Sequence, residues 1–441
     1  MRHSGPSRFR GTVIDRAADP PADRRRGGGR DGGDSGRHGG VPAVPTAPPA
    51  SILASTTSYA RRSARGAAAR RGRGRKGTTV VQPDGSRIGT PSSTPAESAD
   101  RSIEAFIAAM PKAELHVHHV GSASPRVVAE LAARHEGRTK VPLDPAALAE
   151  YFTFTDFAHF IEVYLSVVDL VRDAEDVRAL TYGVAEDMAR QNIRYAELTV
   201  TPYSSVSRGI PDVAFMEAIE DARHRAEKEL GVVLRWCFDI PGEAGLAAAE
   251  ETARLAVDLA PEGLVSFGLG GPEIGVPRPQ FKPYFDRARA AGLRSVPHAG
   301  ETTGPETVWD ALRVLGAERI GHGTQAVKDR ALIDHLGEHR IPLEVCPTSN
   351  IATRAVERIE DHPIKRMVDA GLLVTVNSDD PPMFGTDLNT EYAVAARLLG
   401  LDEAGVAALA KNAVEASFLD ATGKARLAGE IDAHLTRWRQ A

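Results

Sequence analysis

The feature that most constrains the fold of this 441-residue chain is a repeated alternation of short β-rich runs with helical stretches, which begins near Ile103. We count eight such runs, and a helical pattern rich in Ala, Leu, Glu and Arg follows each of them. The predicted strands are Ala113–His119, Ile193–Val200, Val232–Ile240, Leu264–Gly271, Arg294–Glu301, Arg319–Gly323, Pro342–Asn350 and Leu373–Asp379. The clearest predicted helices are Asp212–Leu230, Glu243–Leu259 and Pro305–Leu315.

Eight strand–helix units predict an α/β fold, the parallel (β/α)8 TIM barrel, which takes about 250 residues plus insertions. A doubly wound open sheet is the structural alternative. The surplus lies mainly between the first and second predicted strands, where Tyr151–Phe160 is dense in aromatic residues. We expect this insertion to be a helical lid over the barrel mouth, or else an ordinary buried helix face.

Residues 1–102 have a different composition, a low-complexity mixture of Arg, Gly, Pro, Ser and Ala. Such a segment buries too little apolar surface to offset its ordering entropy, so we predict a disordered tail at 1–102 and a metal-dependent barrel at 103–441. A nucleic-acid contact, a transit peptide and translation from a misplaced start are alternative interpretations of the tail.

Charge and cysteine usage exclude several classes of protein. Residues 1–100 hold 18 Lys and Arg against 8 Asp and Glu, so the rest of the chain is acidic and nucleic acid is not expected as its main partner. The two cysteines, Cys237 and Cys346, exclude a disulfide framework and a Cys-rich zinc site. Without a membrane span or secretory signal, we expect a cytoplasmic protein with a small-molecule ligand and leave its oligomeric state open.

Polar residues cluster where the predicted strands end, although buried strands are expected to be apolar. In His116-Val117-His118 the two imidazoles share one face of a strand, because alternate side chains point the same way. The other chemistry-bearing residues are His298 and Glu301 in the fifth strand, His322 in the sixth, and Asp379 and Asp380 in the eighth. Three histidines and a carboxylate make a Zn2+ shell with an open position for water, and zinc lowers the pKa of that water to about 7.

These motifs closely resemble the adenosine deaminase family of the amidohydrolase superfamily, over nearly all of the chain after about residue 105. They are Pro-Lys-Ala-Glu-Leu-His-Val-His at 111–118, His-Ala-Gly-Glu at 298–301, Gly-His-Gly at 321–323, Cys-Pro-Thr-Ser-Asn at 346–350 and Ser-Asp-Asp-Pro at 378–381. The resemblance implies hydrolytic removal of the 6-amino group of an adenine nucleoside, with one Zn2+ per chain.

The resemblance also implies residue roles. It implies that His116, His118, His298 and Asp379 ligate zinc, that Glu301 protonates purine N1, that His322 orients the hydroxide, that Asp380 contacts N7, and that the backbone N–H of Gly271 contacts N3. Attack on C6 places charge on N1, so an acid is needed there. Burial beside the purine would keep Glu301 protonated by raising its pKa.

One departure from the family pattern concerns the substrate. Adenosine deaminases commonly have an acid two residues after the second motif histidine, bonded to the ribose 5′-hydroxyl, whereas this chain has His119-Val120-Gly121. An apolar Val120 suits a nucleoside whose C5′ bears carbon, since a buried acid would lose its hydrogen-bond partner. We therefore predict aminodeoxyfutalosine, which family members deaminate in the futalosine route to menaquinone. Its carboxylate would meet His119 or an Arg near the mouth. The alternative is conversion of adenosine or 2′-deoxyadenosine to the inosine product, with the 5′-hydroxyl held elsewhere.

Other chemistries are less consistent with the sequence. Cytidine-deaminase-like zinc enzymes use His-x-Glu with Pro-Cys-x-x-Cys, and neither pattern occurs. Binuclear amidohydrolases generally need a bridging Lys or carboxylate at the fourth strand, and Leu264–Gly271 has none. A zinc-binding protein without catalysis would not need Glu301 and His322. A nucleic-acid-binding role of the tail remains a separate hypothesis.

Overall fold

The structure is a computed structural model that describes residues 102–153 and 157–441. The predicted disordered tail, residues 1–102, lies outside the described residues except for Ser102. The hydroxyl of Ser102 accepts a hydrogen bond from the backbone N–H of Ala105 and so caps the first helix.

Eight parallel strands form one sheet in which the spatial order follows the order along the chain. The strands are β1 (Lys112–His118), β2 (Ile193–Val200), β3 (Val233–Pro241), β4 (Leu264–Gly270), β5 (Arg294–Ala299), β6 (Ile320–His322), β7 (Leu343–Val345) and β8 (Val374–Val376). The eighth strand meets the first through a parallel bridge between Val117 and Asp379. The predicted TIM barrel is thereby confirmed, and an open sheet is excluded.

Helices follow the strands and cover the outside of the barrel. They are α1 (Ile103–Ala109), α2 (Pro125–Arg134), α3 (Pro145–Tyr151), α4 (Phe157–Val168), α5 (Ala174–Arg190), α6 (Pro202–Val206), α7 (Asp212–Leu230), α8 (Gly245–Arg254), α9 (Lys282–Ala290), α10 (Pro305–Arg313), α11 (Arg330–Glu338), α12 (Pro347–Ala352), α13 (Ile364–Asp369), α14 (Leu388–Leu399), α15 (Glu403–Ala416) and α16 (Ala421–Gln440). Within the described ranges, none of these helices combines the length and apolar character needed to cross a membrane.

The predicted seventh strand, Pro342–Asn350, is too long. Only Leu343–Val345 is extended, and Pro347 begins the helix α12. Proline suits the first turn of a helix because its fixed φ is helical and its missing N–H would have no partner there. This correction matters for the site, because Ser349 and Asn350 therefore lie on a helix at the barrel mouth.

The predicted insertion after the first strand consists of the helices α2 to α5. Part of the aromatic segment Tyr151–Phe160, residues 154–156, lies outside the described residues. The hydroxyls of Tyr151 and Ser166 are 2.6 Å apart, which joins α3 to α4. Burial raises the pKa of Tyr164 on α4 well above its usual value, and the carboxylates of Asp380 and Asp239 add to this rise.

Candidate active site

The predicted zinc ligands meet at the carboxyl ends of the strands. His116 and His118 lie on β1, His298 lies on β5, and Asp379 follows β8. The Nε2 atom of His118 is 3.2 Å from Nε2 of His298 and 3.2 Å from Oδ1 of Asp379. The Nε2 atom of His116 is 3.7 Å from the same oxygen. Three strands that are distant in sequence thus bring three imidazoles and a carboxylate together.

Asp379 is held in a backbone conformation that non-glycine residues rarely adopt, with φ of 66°. Its N–H donates to the carbonyl of His116, and its own carbonyl accepts from the N–H of His118. The hydroxyl of Ser349 donates to Oδ2 of Asp379 at 2.6 Å. Closure of the barrel onto β1 therefore fixes Asp379 and leaves Oδ1 directed at the histidines.

The donor set of this cluster fits a metal ion. Among the described side chains, the buried Nε2 of His116, which faces Asp379, has no hydrogen-bond partner. Burial lowers the pKa of His298, and the neighbouring His116 and His118 lower it further, well below its usual value. Imidazoles packed this closely repel one another when protonated. Three imidazole nitrogens and one carboxylate oxygen are instead the ligands that Zn2+ prefers.

A buried ion network supports His116 from inside the barrel. Glu344 on β7 accepts from Nδ1 of His116 at 3.0 Å, which directs the proton to Nδ1 and leaves Nε2 free for a metal. Arg319 donates to Glu344 at 2.6 Å and also pairs with Glu197 on β2. Sequence reasoning missed this network. Its signal was the presence of charged residues inside predicted strands that are otherwise apolar.

The turn that carries Glu301 is organised by a second buried carboxylate. Oε2 of Glu273 accepts from the backbone N–H groups of Glu301 (3.1 Å), Thr302 (2.6 Å) and Thr303 (2.8 Å), and from both threonine hydroxyls. Arg278 lies 3.8 Å from the other oxygen of Glu273 and donates to the carbonyl of His298. Glu273 and Arg278 were not identified from the sequence.

The predicted acid and the predicted orienting histidine are neighbours in the structure. Nε2 of His322 lies 3.7 Å from Oε2 of Glu301 and 3.8 Å from Oδ2 of Asp379. The hydroxyl of Thr353 donates to the other oxygen of Glu301 at 2.9 Å. Glu301, His322 and the metal cluster therefore face one shared space.

Asp380 fits its position because the residue opposite is glycine. A Cβ atom on Gly121 would lie 1.5 Å from Oδ1 of Asp380, a distance that no side chain tolerates. Within the described structure, this oxygen is buried without a hydrogen-bond partner. Burial and the adjacent Asp379 raise the pKa of Asp380. The half-buried Val120 directly precedes Gly121 in the turn after β1.

Gly271 closes the opposite side of the mouth, directly after β4. Its φ of 77° is in the left-handed region, and a Cβ there would lie 2.2 Å from Oε2 of Glu243. That oxygen is a second buried carboxylate atom without a hydrogen-bond partner among the described residues. Burial raises the pKa of Glu243, and the nearby Asp239 adds to this effect. Glu243 was not identified from the sequence.

The structure directs His119, predicted to contact the substrate, away from the barrel mouth. Its Nε2 lies 2.8 Å from the hydroxyl of Thr181 on α5, and both residues are buried. Strand alternation explains the result, because residues next to the inward-facing His118 point to the outer helices. Burial lowers the pKa of His119 to about 4, so it is neutral at pH 7 and carries no charge for an anionic group.

The structure offers an arginine at the rim instead. Arg208 follows α6, at the end of the barrel where the strands terminate. Its guanidinium donates to the carbonyl of Val168, the last residue of α4, at 2.8 Å. Tyr164 lies one turn earlier on the same helix. Arg208 is exposed, so its guanidinium is accessible at the rim.

Comparison with known proteins gives consistent results. The family model described as adenosine deaminase matches residues 111–434. The aminodeoxyfutalosine deaminase of Streptomyces avermitilis is 74% identical over 340 residues, which cover 77% of this chain and 95% of that protein. The crystal structure of adenine deaminase from Arthrobacter aurescens has a TM-score of 0.69 and 31% identity, and covers 76% of this chain and 100% of that chain.

A crystal structure of an amidohydrolase from Burkholderia ambifaria with bound Zn also matches, with a TM-score of 0.69 and 25% identity. The match covers 77% of this chain and 95% of that chain. The barrel, the ordered motifs and these similarities agree, and the resemblance predicted from the sequence is confirmed. The chain belongs to the adenosine deaminase family.

Proposed function

We propose that this hydrolytic deaminase converts aminodeoxyfutalosine to futalosine and ammonia and thereby serves menaquinone formation. The observation that carries the proposal is Val120-Gly121 at the mouth, where an acid for the ribose 5′-hydroxyl is replaced by an apolar side chain. The 74% identity to the aminodeoxyfutalosine deaminase of S. avermitilis supports the same substrate.

We also propose that His116, His118, His298 and Asp379 hold a single Zn2+. The buried Nε2 of His116, which has no hydrogen-bond partner among the described residues, the mixed imidazole and carboxylate donors, and the Zn-bound relative from B. ambifaria support this assignment. Bound there, Zn2+ would supply a nucleophilic hydroxide near neutral pH, because it lowers the pKa of water to about 7.

Glu301 would then act as the proton donor, and His322 would orient the attacking oxygen. Glu301 gives its proton to purine N1 while oxygen adds to C6, which keeps charge from accumulating on the ring. His322 donates a hydrogen bond to the attacking oxygen from the space it shares with Glu301. The proton of the added hydroxyl then passes to the amino nitrogen, the bond from C6 to that nitrogen breaks, and ammonia leaves a 6-oxopurine that keeps its proton on N1. Asp380 would contact N7, and the N–H of Gly271 would contact N3.

The extended group on C5′ is matched by the rim of the barrel. Val120 gives the methylene next to the ribose an apolar contact. Arg208 is our candidate partner for the carboxylate of the substrate, because arginine pairs with carboxylates through two parallel hydrogen bonds. Its hydrogen bond to the carbonyl of Val168, the last residue of α4, holds it beside the helix that follows the lid segment.

Glu243 is our candidate ribose contact. Its unpartnered oxygen packs against Gly271, next to the proposed N3 contact, and purine N3 lies beside the ribose. A ribose hydroxyl would donate to this oxygen, which relieves a buried acceptor that otherwise has no partner.

The experiment that tests the proposal compares kcat/KM for aminodeoxyfutalosine, adenosine and free adenine, using the zinc-loaded full-length protein. We expect the extended nucleoside to be preferred by at least about a hundredfold, since adenosine loses a hydrogen bond and apolar contact at once. A higher kcat/KM for adenosine would make the protein an adenosine deaminase with an unusual ribose contact. A higher value for adenine would show that the ribose subsite is not used.

A further inference from the structure

We propose that a buried chain of three side chains, His362, Asn350 and His322, fixes the tautomer of His322 so that Nε2 carries its proton. We call these three residues the relay. The inference rests on the proposed function, in which His322 donates to the attacking oxygen. His362 and Asn350 act through His322 and are positioning residues.

The first hydrogen bond of the relay has a donor whose role is fixed. The backbone N–H of Ile364, at the start of α13, lies 3.2 Å from Nδ1 of His362. A backbone N–H only donates, so Nδ1 of His362 must accept. Burial lowers the pKa of His362 to about 4, and the ring is therefore neutral at pH 7. A neutral imidazole has one N–H, which must then sit on Nε2.

The amide of Asn350 on α12 connects the two histidine rings and determines which nitrogen of His322 accepts a hydrogen bond. Nε2 of His362 lies 3.2 Å from Oδ1 of Asn350, and Nδ2 of Asn350 lies 3.2 Å from Nδ1 of His322. Because the amide oxygen faces an N–H group, the NH2 group must face His322. Nδ1 of His322 therefore accepts, and the proton of His322 is forced onto Nε2.

The proposed role of His322 as a hydrogen-bond donor to the attacking oxygen requires this tautomer. Nε2 of His322 faces Oε2 of Glu301 and Oδ2 of Asp379 at 3.7 and 3.8 Å. An N–H there can donate into the space between the acid and the metal cluster, whereas the opposite tautomer would turn a lone pair toward the carboxylate of Asp379. All three relay residues are at most 5% exposed, so water does not compete for these hydrogen bonds.

Asn350→Asp is the most informative variant, because it replaces the NH2 group with a second oxygen of nearly the same size. An oxygen facing Nδ1 of His322 can only accept, so the proton of His322 should move to Nδ1. We expect kcat to fall by about 10²–10⁴, the contribution typical of a positioned proton donor, with KM changed less than threefold. His362→Asn interrupts the relay at its first residue. His224→Asn, on the exposed face of α7, is the matched control.

The tautomer itself is read from long-range ¹H–¹⁵N correlation spectra of the zinc-loaded full-length protein labelled with ¹⁵N-histidine, with His322→Gln identifying the signals. We expect a protonated Nε2 in the wild type and in His224→Asn, and a protonated Nδ1 in Asn350→Asp. A protonated Nδ1 in the wild type, or an unchanged tautomer and kcat in Asn350→Asp, would overturn the relay. If the wild type has the expected tautomer but deaminates no adenine nucleoside, the proposed function fails and the relay stands.

Discussion

The turn that presents Glu301 depends on one buried carboxylate, so Glu273 is the most informative residue to perturb outside the proposed catalytic groups. Its Oε2 receives three backbone N–H groups and two hydroxyls from residues 301–303. Glu273→Ala removes all of these acceptor contacts. Glu273→Gln keeps the size and one acceptor oxygen but removes the negative charge.

The expected loss of stability follows from the number of bonds and from Arg278. Hydrogen bonds to a charged group contribute about 1.5–3 kcal/mol each, but five donors share one oxygen, so we count about two full bonds. Arg278 is 1% exposed and would keep a buried charge beside an empty position. We therefore expect Glu273→Ala to lower the free energy of unfolding by about 3–5 kcal/mol and Glu273→Gln by about 1–3 kcal/mol.

The difference in stability between wild type and Glu273→Gln should depend on pH. Burial raises the pKa of Glu273, but Arg278 and the N–H groups of Thr302 and Thr303 outweigh burial and hold it below the usual value of 4.5. A carboxyl with a lower pKa in the folded state adds stability that is fully present above about pH 4.5. That contribution is lost as the pH falls through the folded-state pKa, so the difference should shrink in acid.

Urea unfolding at pH 7 and at pH 4, with kcat measured at pH 7, tests this reasoning. We expect kcat of Glu273→Gln to fall about tenfold to a hundredfold with zinc content unchanged, because a freed turn displaces Glu301 from its reacting position. The exposed Glu338→Gln on α11 is the control. If Glu273→Ala lost less than about 1 kcal/mol, or if the difference grew in acid, the assigned role of Glu273 would be refuted.

The remaining predictions concern the metal, the acid and the substrate. His298→Ala should lose most of its zinc in metal analysis, whereas two tightly bound ions per wild-type chain would contradict a mononuclear site. Glu301→Gln should keep its zinc while kcat falls by about 10²–10⁴, and near-normal turnover would mean that another group protonates N1. Val120→Asp should raise kcat/KM for adenosine relative to aminodeoxyfutalosine, by restoring an acceptor for the 5′-hydroxyl. Arg208→Gln should raise KM for aminodeoxyfutalosine about tenfold or more and leave adenosine unchanged; equal effects on both would remove Arg208 as the carboxylate partner. Glu243→Gln should reduce the preference for adenosine over its 2′- and 3′-deoxy analogues, and an unchanged preference would exclude a ribose contact.

The sequence by itself determined the barrel and the residues that meet at its mouth. Hydrophobic runs with a period of two, separated by helical patterns, are local signals, and a parallel barrel brings the carboxyl ends of its strands together whatever the loops between them are. His116, His118, His298 and Asp379 could therefore be grouped before any coordinates were known. The family resemblance supplied their proposed roles.

Only the tertiary structure decided which way the side chains point and which buried groups hold them in place. His119 is adjacent in sequence to a proposed zinc ligand but faces α5, because one residue along a strand reverses the face. Glu273 and the relay residue His362 support groups elsewhere in the chain, and no local pattern marks them, whereas Glu344 was marked only as a charged residue in an apolar strand. Their contribution comes from hydrogen bonds between buried polar atoms, and those bonds exist only once the barrel has excluded water and fixed the direction of each donor.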